Sequence, residues 1–210
     1  MAVRYLLLGC GWMSWCVLHS LLVSPVVTGF IQRLPEPVKP YLRLVYNIIA
    51  LATLVPLAGY TRHLAGGCVF AWQGGWLMVR FLMLGLAFLL FYGGARHYDM
   101  GYFLGLRQIA TGRSPVQLTE DAPFARDGIF AVVRHPWYLA SLLLLWSILP
   151  VYTRPAALAA VILSVYLPIG ATLEERKLAA EFGVAYRTYQ RQVSMFLPWK
   201  WLRAAWKSGD

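Results

Sequence analysis

Uncharged, apolar runs recur along this chain at lengths that match the thickness of a lipid bilayer. A helical crossing needs about 20 predominantly apolar residues. The first run covers about Tyr5–Val27, the second Tyr41–Tyr60 and the third Gly74–Ala95. The fourth, near Trp137–Pro150, and the fifth, near Pro155–Leu173, are shorter. Only Val151–Arg154 separates them, which reads as a tight helical hairpin, tilted or not crossing fully. Charged residues make up 13% of the 210, about half the share that a water-soluble domain carries on its surface. Disorder, fibrous repeats and an ordinary cytosolic enzyme are thereby excluded. The expected fold is all-α: a polytopic helical membrane protein of about five transmembrane helices with a C-terminal cytoplasmic amphipathic helix. No repeat, linker or low-complexity tract marks a boundary, so 1–210 reads as a single domain. Its parts are three N-terminal spans (1–95), a loop (96–136), the hairpin (137–173) and a C-terminal helix and tail (174–210).

The net charge of +10 would point to nucleic acid in a soluble protein. Here it reads as loop charge, with no nucleic-acid partner. Three Lys/Arg follow the first span (Arg33, Lys39, Arg43) and five follow the third (Arg96, Arg107, Arg113, Arg126, Arg134). Seven more lie in the tail (Arg176, Lys177, Arg187, Arg191, Lys200, Arg203, Lys207). The opposite side holds Arg4, Arg62 and Arg154, and Arg80 lies inside the third span. Positive charge stays on the cytoplasmic side, so the N-terminus is expected outside and the C-terminus in the cytoplasm. That is the pattern of an integral protein of a bacterial inner membrane or its equivalent. Cys10, Cys16 and Cys68 have no disulfide or zinc spacing, so no metal is expected. No small-residue cleavage site follows the first apolar run, which reads as a retained span rather than a signal peptide.

Polar residues concentrate in two places. The 40-residue stretch from Arg96 to His135 is too long to be a plain connector. Tyr98–Gln108 within it reads as a short interfacial helix, followed by a polar loop with Gly112, Pro115 and Pro123. The loop closes on a turn signal, Asp127-Gly128-Ile129-Phe130, and then Arg134-His135-Pro136-Trp137-Tyr138 opens the fourth span. Pro136 suits a first helical turn, where free backbone amides attract anions. A basic interface anchor is the alternative reading. The second concentration is Glu174-Glu175 at the end of the fifth span, a carboxylate pair suited to a cation or to plain hydration. Glu175, Leu178, Phe182, Tyr186 and Tyr189 recur at spacings of three and four and share one helix face. In a straight helix the carboxylate and the far phenols lie roughly 16 Å apart. Gly183 weakens that helix by about 1 kcal/mol, a cost that makes sense if something approaches its backbone. His19, Asn47 and Arg80 lie at membrane depth, where ionisable residues are either functional or bonded to a neighbouring helix. Nucleotide-binding and hydrolase signatures of soluble enzymes are absent.

Taken in order, Asp127–Phe130, Arg134–Tyr138, Glu174-Glu175, Phe182-Gly183, Tyr186, Tyr189, Val193 and Pro198 resemble one family. This is the integral-membrane methyltransferases related to isoprenylcysteine carboxyl methyltransferase and the phospholipid methyltransferases. Trp15, His19–Leu22, Arg43, Tyr46 and Asn47 are similar to its methanethiol S-methyltransferase branch, as are Asp99 and Phe103–Gln108. Ala140 departs from the family, which has glycine two positions after the tyrosine.

The resemblance implies S-adenosylmethionine as cofactor, bound without a Rossmann fold. Carried over by position, Arg134, His135, Pro136, Tyr138 and Leu139 line it. Glu174 and Glu175 hold its ammonium or ribose hydroxyls, and Tyr186, Arg187 and Tyr189 close the site. His19, His97, Asp99 and Arg107 are candidates for activating or orienting the acceptor. A small thiol, methanethiol giving dimethyl sulfide, is the leading acceptor. A lipid-borne acceptor is the alternative: a prenylcysteine carboxyl or a phosphatidylethanolamine amine. A non-enzymatic sensor or transporter on the same scaffold is the third. The lipid bilayer is a partner in every case, and oligomeric state is left open.

Overall fold

The structure is a computed structural model that describes residues 2–24, 27, 29–30, 33–112, 124 and 126–207. Arg113, Pro115 and Pro123 of the polar loop lie outside the described residues. In chain order its main elements are α1 (Ala2–Leu22), α2 (Leu42–His63), β1 (Cys68–Ala71), α3 (Trp76–Ala95), α4 (Met100–Leu104), α5 (Leu106–Thr111), α6 (Pro136–Ser147), β2 (Val151–Thr153), α7 (Arg154–Gln192) and α8 (Trp199–Lys207). Short 3-10 turns lie at Lys39–Tyr41 and Gly128–Ala131.

Four of the five apolar runs become helices long and apolar enough to cross a membrane: Ala2–Leu22, Lys39–His63, Trp76–Ala95 and Arg154–Gln192. Their outer faces carry exposed Leu, Phe and Met, among them Leu6, Leu7, Met78, Phe81, Leu82 and Phe88, as lipid contact requires. The fourth run is short, as the sequence leads one to expect. It forms α6, of 12 residues, about 18 Å long at 1.5 Å per residue, against a hydrocarbon core of about 30 Å. Between α6 and α7, Val151–Thr153 is extended. It pairs antiparallel with Cys68–Ala71 in a small two-stranded sheet. Apart from this ribbon the architecture is that of an all-α polytopic membrane protein.

The chain divides into two compact units. The first contains Met1–Ala71, Tyr98–Pro123 and Val151–Leu163. Its core is built on Leu8, Trp12 and Ala159, with Leu54, Leu57 and Leu158 around them. The Trp12 indole donates to Thr61 Oγ1 at 3.0 Å, which satisfies both buried groups. The expected interfacial helix at Tyr98–Gln108 is two helices, α4 and α5, broken at the left-handed Gly105. They are fastened to α2 by Arg43, whose Nε donates to the Phe103 carbonyl (3.1 Å), and by Asn47, which donates to the Leu104 carbonyl (3.0 Å). That bonding accounts for Asn47.

The second unit contains Trp72–His97, Phe124–Pro150 and Ser164–Asp210. Its core joins Ala87 and Leu90 of α3 to Val133 and to Ala140 of α6. The Ala140 methyl is fully buried there, so the departure from glycine fills a helix–helix contact. At one end of α6 the Trp137 indole donates to the Phe91 carbonyl (3.1 Å). At the other, Arg80 donates to the Ser147 and Ile148 carbonyls (2.8 and 3.2 Å). The short helix therefore runs antiparallel to α3 with both ends pinned. Arg80 satisfies carbonyls that a helix C-terminus leaves unpaired, which is its role at membrane depth. The last helix, α8, sets Lys200, Arg203 and Lys207 on one face and Trp199, Leu202 and Trp206 on another.

Candidate functional site

The arginine-histidine-proline turn and the carboxylate pair, 40 residues apart in sequence, meet in the second unit. Arg134 Nε donates to Glu175 Oε1 at 2.6 Å, and the imidazole Nε2 of His135 lies 3.2 Å from the same oxygen. The other oxygen of Glu175 accepts from the Gln190 amide at 2.8 Å. The Arg134 guanidinium also donates to the carbonyls of Gln190 and Val193. Backbone pairing reinforces the junction: the Arg134 amide donates to the Ser194 carbonyl (2.9 Å) and the His135 amide to that of Met195 (3.2 Å). Burial alone would raise the Glu175 pKa, but hydrogen bonds from His135, Arg134 and Gln190, with the Arg134 charge, lower it to about 2.

The amides of Arg134 and His135 and the Arg134 guanidinium are engaged by protein groups. Arg134 and Glu175 form the frame of the site. Glu174 differs: its side chain is 43% exposed and stands 3.9 Å from His135 Nδ1.

Gly183 sets the path of the chain beyond the carboxylate pair. A straight helix would put Glu175 and Gln190 about 22 Å apart, yet their side chains are hydrogen-bonded. The helix breaks at Gly183, with φ +54° and ψ −124°, and the segment beyond it turns back onto the segment before it. No atom lies within 4 Å of where a Cβ would sit. Glycine is therefore required by the backbone conformation. The reversal packs Tyr186, Tyr189 and Val193 with Leu178, Phe182 and Phe124. The Tyr189 hydroxyl donates to the Phe130 carbonyl at 2.7 Å, and burial, with Glu175 adding to it, pushes the Tyr186 phenol up. Arg187 is exposed. At the start of α6, the Tyr138 ring meets His135 edge-on at 5.4 Å. Pro136 is buried, with Leu139 partly so.

The four acceptor candidates are divided between the two units. His19, in the first unit, stacks on Trp15 at 5.1 Å and contacts the Tyr46 hydroxyl at 3.1 Å. Asp99 caps α4, accepting from the amides of Gly101 (2.9 Å) and Tyr102 (3.2 Å), and pairs with Arg107. Asp99 and Arg107 are thus bonded to each other at the start of α4. His97 alone belongs to the second unit. Its Nδ1 lies 2.9 Å from the Gly93 carbonyl and its Nε2 lies 3.5 Å from Asp127. Sequence reasoning missed Gln190 and Lys200, whose ammonium donates to the Gln190 carbonyl at 2.7 Å. No sequence signal announces Gln190, because only the reversal at Gly183 brings it to Glu175.

No family model matches the chain and no solved structure matches it. Curated relatives do. Methanethiol S-methyltransferase 1 of Bradyrhizobium diazoefficiens is 40% identical over 104 residues, which is 50% of this chain and 35% of that protein. The methanethiol S-methyltransferase of Pseudomonas deceptionensis is 32% identical over 102 residues, 49% of this chain and 37% of its own length. Methanethiol S-methyltransferase 2 of B. diazoefficiens is 30% identical over 131 residues, 60% of this chain and 49% of its own. The chain thus spans between about a third and a half of the length of the curated relatives it matches. Over that length it is similar to methanethiol S-methyltransferases, the branch that its motifs resemble.

Proposed function

We propose that this protein is an integral-membrane enzyme that transfers a methyl group from S-adenosylmethionine to methanethiol, giving dimethyl sulfide. The observation that carries the reading is the convergence of Arg134, His135, Glu175 and Gln190 around one carboxylate. Motifs that resemble a methyltransferase family thus come together as a built site. The names of the similar proteins support the acceptor. By the chemistry of its donors the site fits the cofactor. The part-exposed Glu174 carboxylate matches an ammonium or ribose hydroxyls. The part-exposed Tyr138 ring matches an adenine or a cationic sulfur.

When bound, S-adenosylmethionine supplies a methyl group on a positively charged sulfur. The residues that would hold it are Glu174, His135, Pro136, Tyr138, Leu139, Tyr186, Arg187 and Tyr189. Arg134 and Glu175 keep these in place from behind. The protein's work is positioning and exclusion of water: the Gly183 reversal packs Tyr186 and Tyr189 with Leu178, Phe182 and Phe124. The excess of Lys/Arg in the loop after α3 and in the tail favours an outside N-terminus and a cytoplasmic C-terminus.

The test is methyl transfer from labelled S-adenosylmethionine by detergent-purified protein. Methanethiol, a prenylcysteine analogue and phosphatidylethanolamine are offered separately, with Glu174→Gln as the control. Label on methanethiol, at least tenfold reduced in the variant, supports the reading. Label on prenylcysteine or lipid alone overturns the thiol assignment. Absence of both transfer and cofactor binding moves the protein to the sensor or transporter class.

A further inference from the structure

The side chains of α8 are sharply sorted. In a helix that turns about 100° per residue, Arg203, Lys207 and Lys200 fall within an arc of about 60°. Trp199, Trp206, Leu202, Ala205 and Trp201 fill about 160° on the other side. Trp199–Lys207 contains no carboxylate. The apolar side is uncovered: Trp199, Leu202 and Trp206 are 62%, 55% and 79% exposed. Arg203 and Lys207 are exposed as well. Lys200 is already engaged. Its amide donates to Ser194 Oγ at 3.2 Å and its ammonium to the Gln190 carbonyl at 2.7 Å. The start of α8 is thereby fastened to the frame around Glu175, and the free cations are carried by the turns that follow. The second unit also fixes the level at which α8 begins. The carbonyls of Ser194 and Met195 accept from the amides of Arg134 and His135, just ahead of α6. Two residues beyond His135, the Trp137 indole bonds to the Phe91 carbonyl, near the end of the apolar span Trp76–Ala95. Trp199 follows Met195 by four residues, so α8 starts near the end of a span, where the headgroups of a bilayer lie.

We propose that α8 lies in the plane of the membrane surface and docks on anionic phospholipid headgroups, with Arg203 and Lys207 pairing their phosphates and Trp199, Leu202 and Trp206 sunk among the upper acyl chains. A helix with a wide apolar face beside a narrow cationic one takes this position at a bilayer. Indoles favour the same depth, because the ring is apolar and its N–H still reaches water. Cations beside them are drawn to a negatively charged leaflet. The spans supply the bilayer as soon as the chain is inserted, so the uncovered indoles meet lipid without waiting for a soluble partner. The proposal rests on the membrane fold and is independent of the methyl acceptor.

The test places a nitroxide spin label on either side of α8 in the full chain, with Cys10, Cys16 and Cys68 replaced by alanine. Leu202→Cys carries it on the apolar side and Ala204→Cys on the side of the cations. The protein is reconstituted in vesicles of phosphatidylcholine with phosphatidylglycerol, and in phosphatidylcholine alone. Collisions with oxygen, which concentrates in lipid, are compared with collisions with a water-soluble nickel chelate. In the anionic vesicles the label at 202 should favour oxygen and the label at 204 should favour nickel. Omitting phosphatidylglycerol should move the label at 202 towards water. The paired charge reversal Arg203→Glu and Lys207→Glu should do the same in anionic vesicles. So should added salt without the charge reversal, which keeps the test independent of how the double variant folds. A label at 202 that meets nickel as freely as the label at 204 overturns the proposal, since α8 then stands in water. A label at 202 shielded from both reagents also overturns it, because protein then covers the face, as a second copy or another segment. A label at 202 that stays in lipid whatever the headgroup charge, salt or charge reversal overturns the pairing with anionic headgroups.

Discussion

The joints of the first unit and the site of the second are built differently. Around α4 and α5 in the first, Arg43 bonds to the carbonyl of Phe103, Asn47 to that of Leu104 and Gln108 to that of Tyr102. These bonds fasten short helices, and each serves its own joint. Around Glu175 in the second, side chains bond to one another: Arg134, His135 and Gln190 share one carboxylate. A network of that kind fails as a whole, because removing one partner leaves another buried without compensation. The first unit should therefore lose stability in small independent steps, and the second in one large step.

The sharpest way to break that contrast is Glu175→Ala. Arg134, nearly buried, would lose its counter-charge, at a cost of about 3–5 kcal/mol, together with cofactor binding. Thermal unfolding in detergent and calorimetric titration with S-adenosylmethionine would show both losses. A variant that unfolds within a degree or two of wild type would mean that the network is not the keystone of its unit.

Next in size is Gly183→Ala. A side chain at φ +54° and ψ −124° costs about 1–3 kcal/mol. The alternative for the chain is to straighten and pull Gln190 away from Glu175. Cofactor affinity should fall with stability, whereas Gly59→Ala, with open space around it, should change neither. The pH dependence tests the same carboxylate. The folded pKa of Glu175, about 2, lies below its ordinary 4.5. Its stabilisation is therefore complete above about pH 4.5 and is lost as pH falls towards 2. Acid unfolding followed by circular dichroism should show that slope in wild type and not in Glu175→Gln. The smallest effect belongs to the first unit. Asp99→Ala removes the cap of α4 and should cost about 1 kcal/mol with little change in cofactor affinity. A large loss of activity there would return Asp99 to the acceptor site.

Hydropathy alone located all five apolar runs, because length and lack of charge are local properties. It could not set the length of the fourth helix. That was decided where Trp137 and Arg80 pin α6 to α3. Nor could it find β1 and β2, since the pairing of Cys68–Ala71 with Val151–Thr153 joins segments some eighty residues apart. The site was legible as motifs: Arg134-His135 and Glu174-Glu175 were both visible as concentrations of charge at the ends of apolar runs. Their division of labour was not. Glu174 and Glu175 are adjacent and chemically identical, and only their surroundings make one a largely covered strut and the other a part-exposed acceptor.

What the sequence determined by itself is the solvent this protein folds in, the helices that follow from it, and which residue types cluster near the ends of those helices. Each depends on composition within some twenty residues. The tertiary structure decided which charges face each other, and it did so through one glycine. The reversal at Gly183 converts a separation of about 22 Å along a straight helix into a 2.8 Å hydrogen bond between Gln190 and Glu175. A long-range contact of that kind depends on where the whole chain returns in space, and no local pattern of residues encodes it.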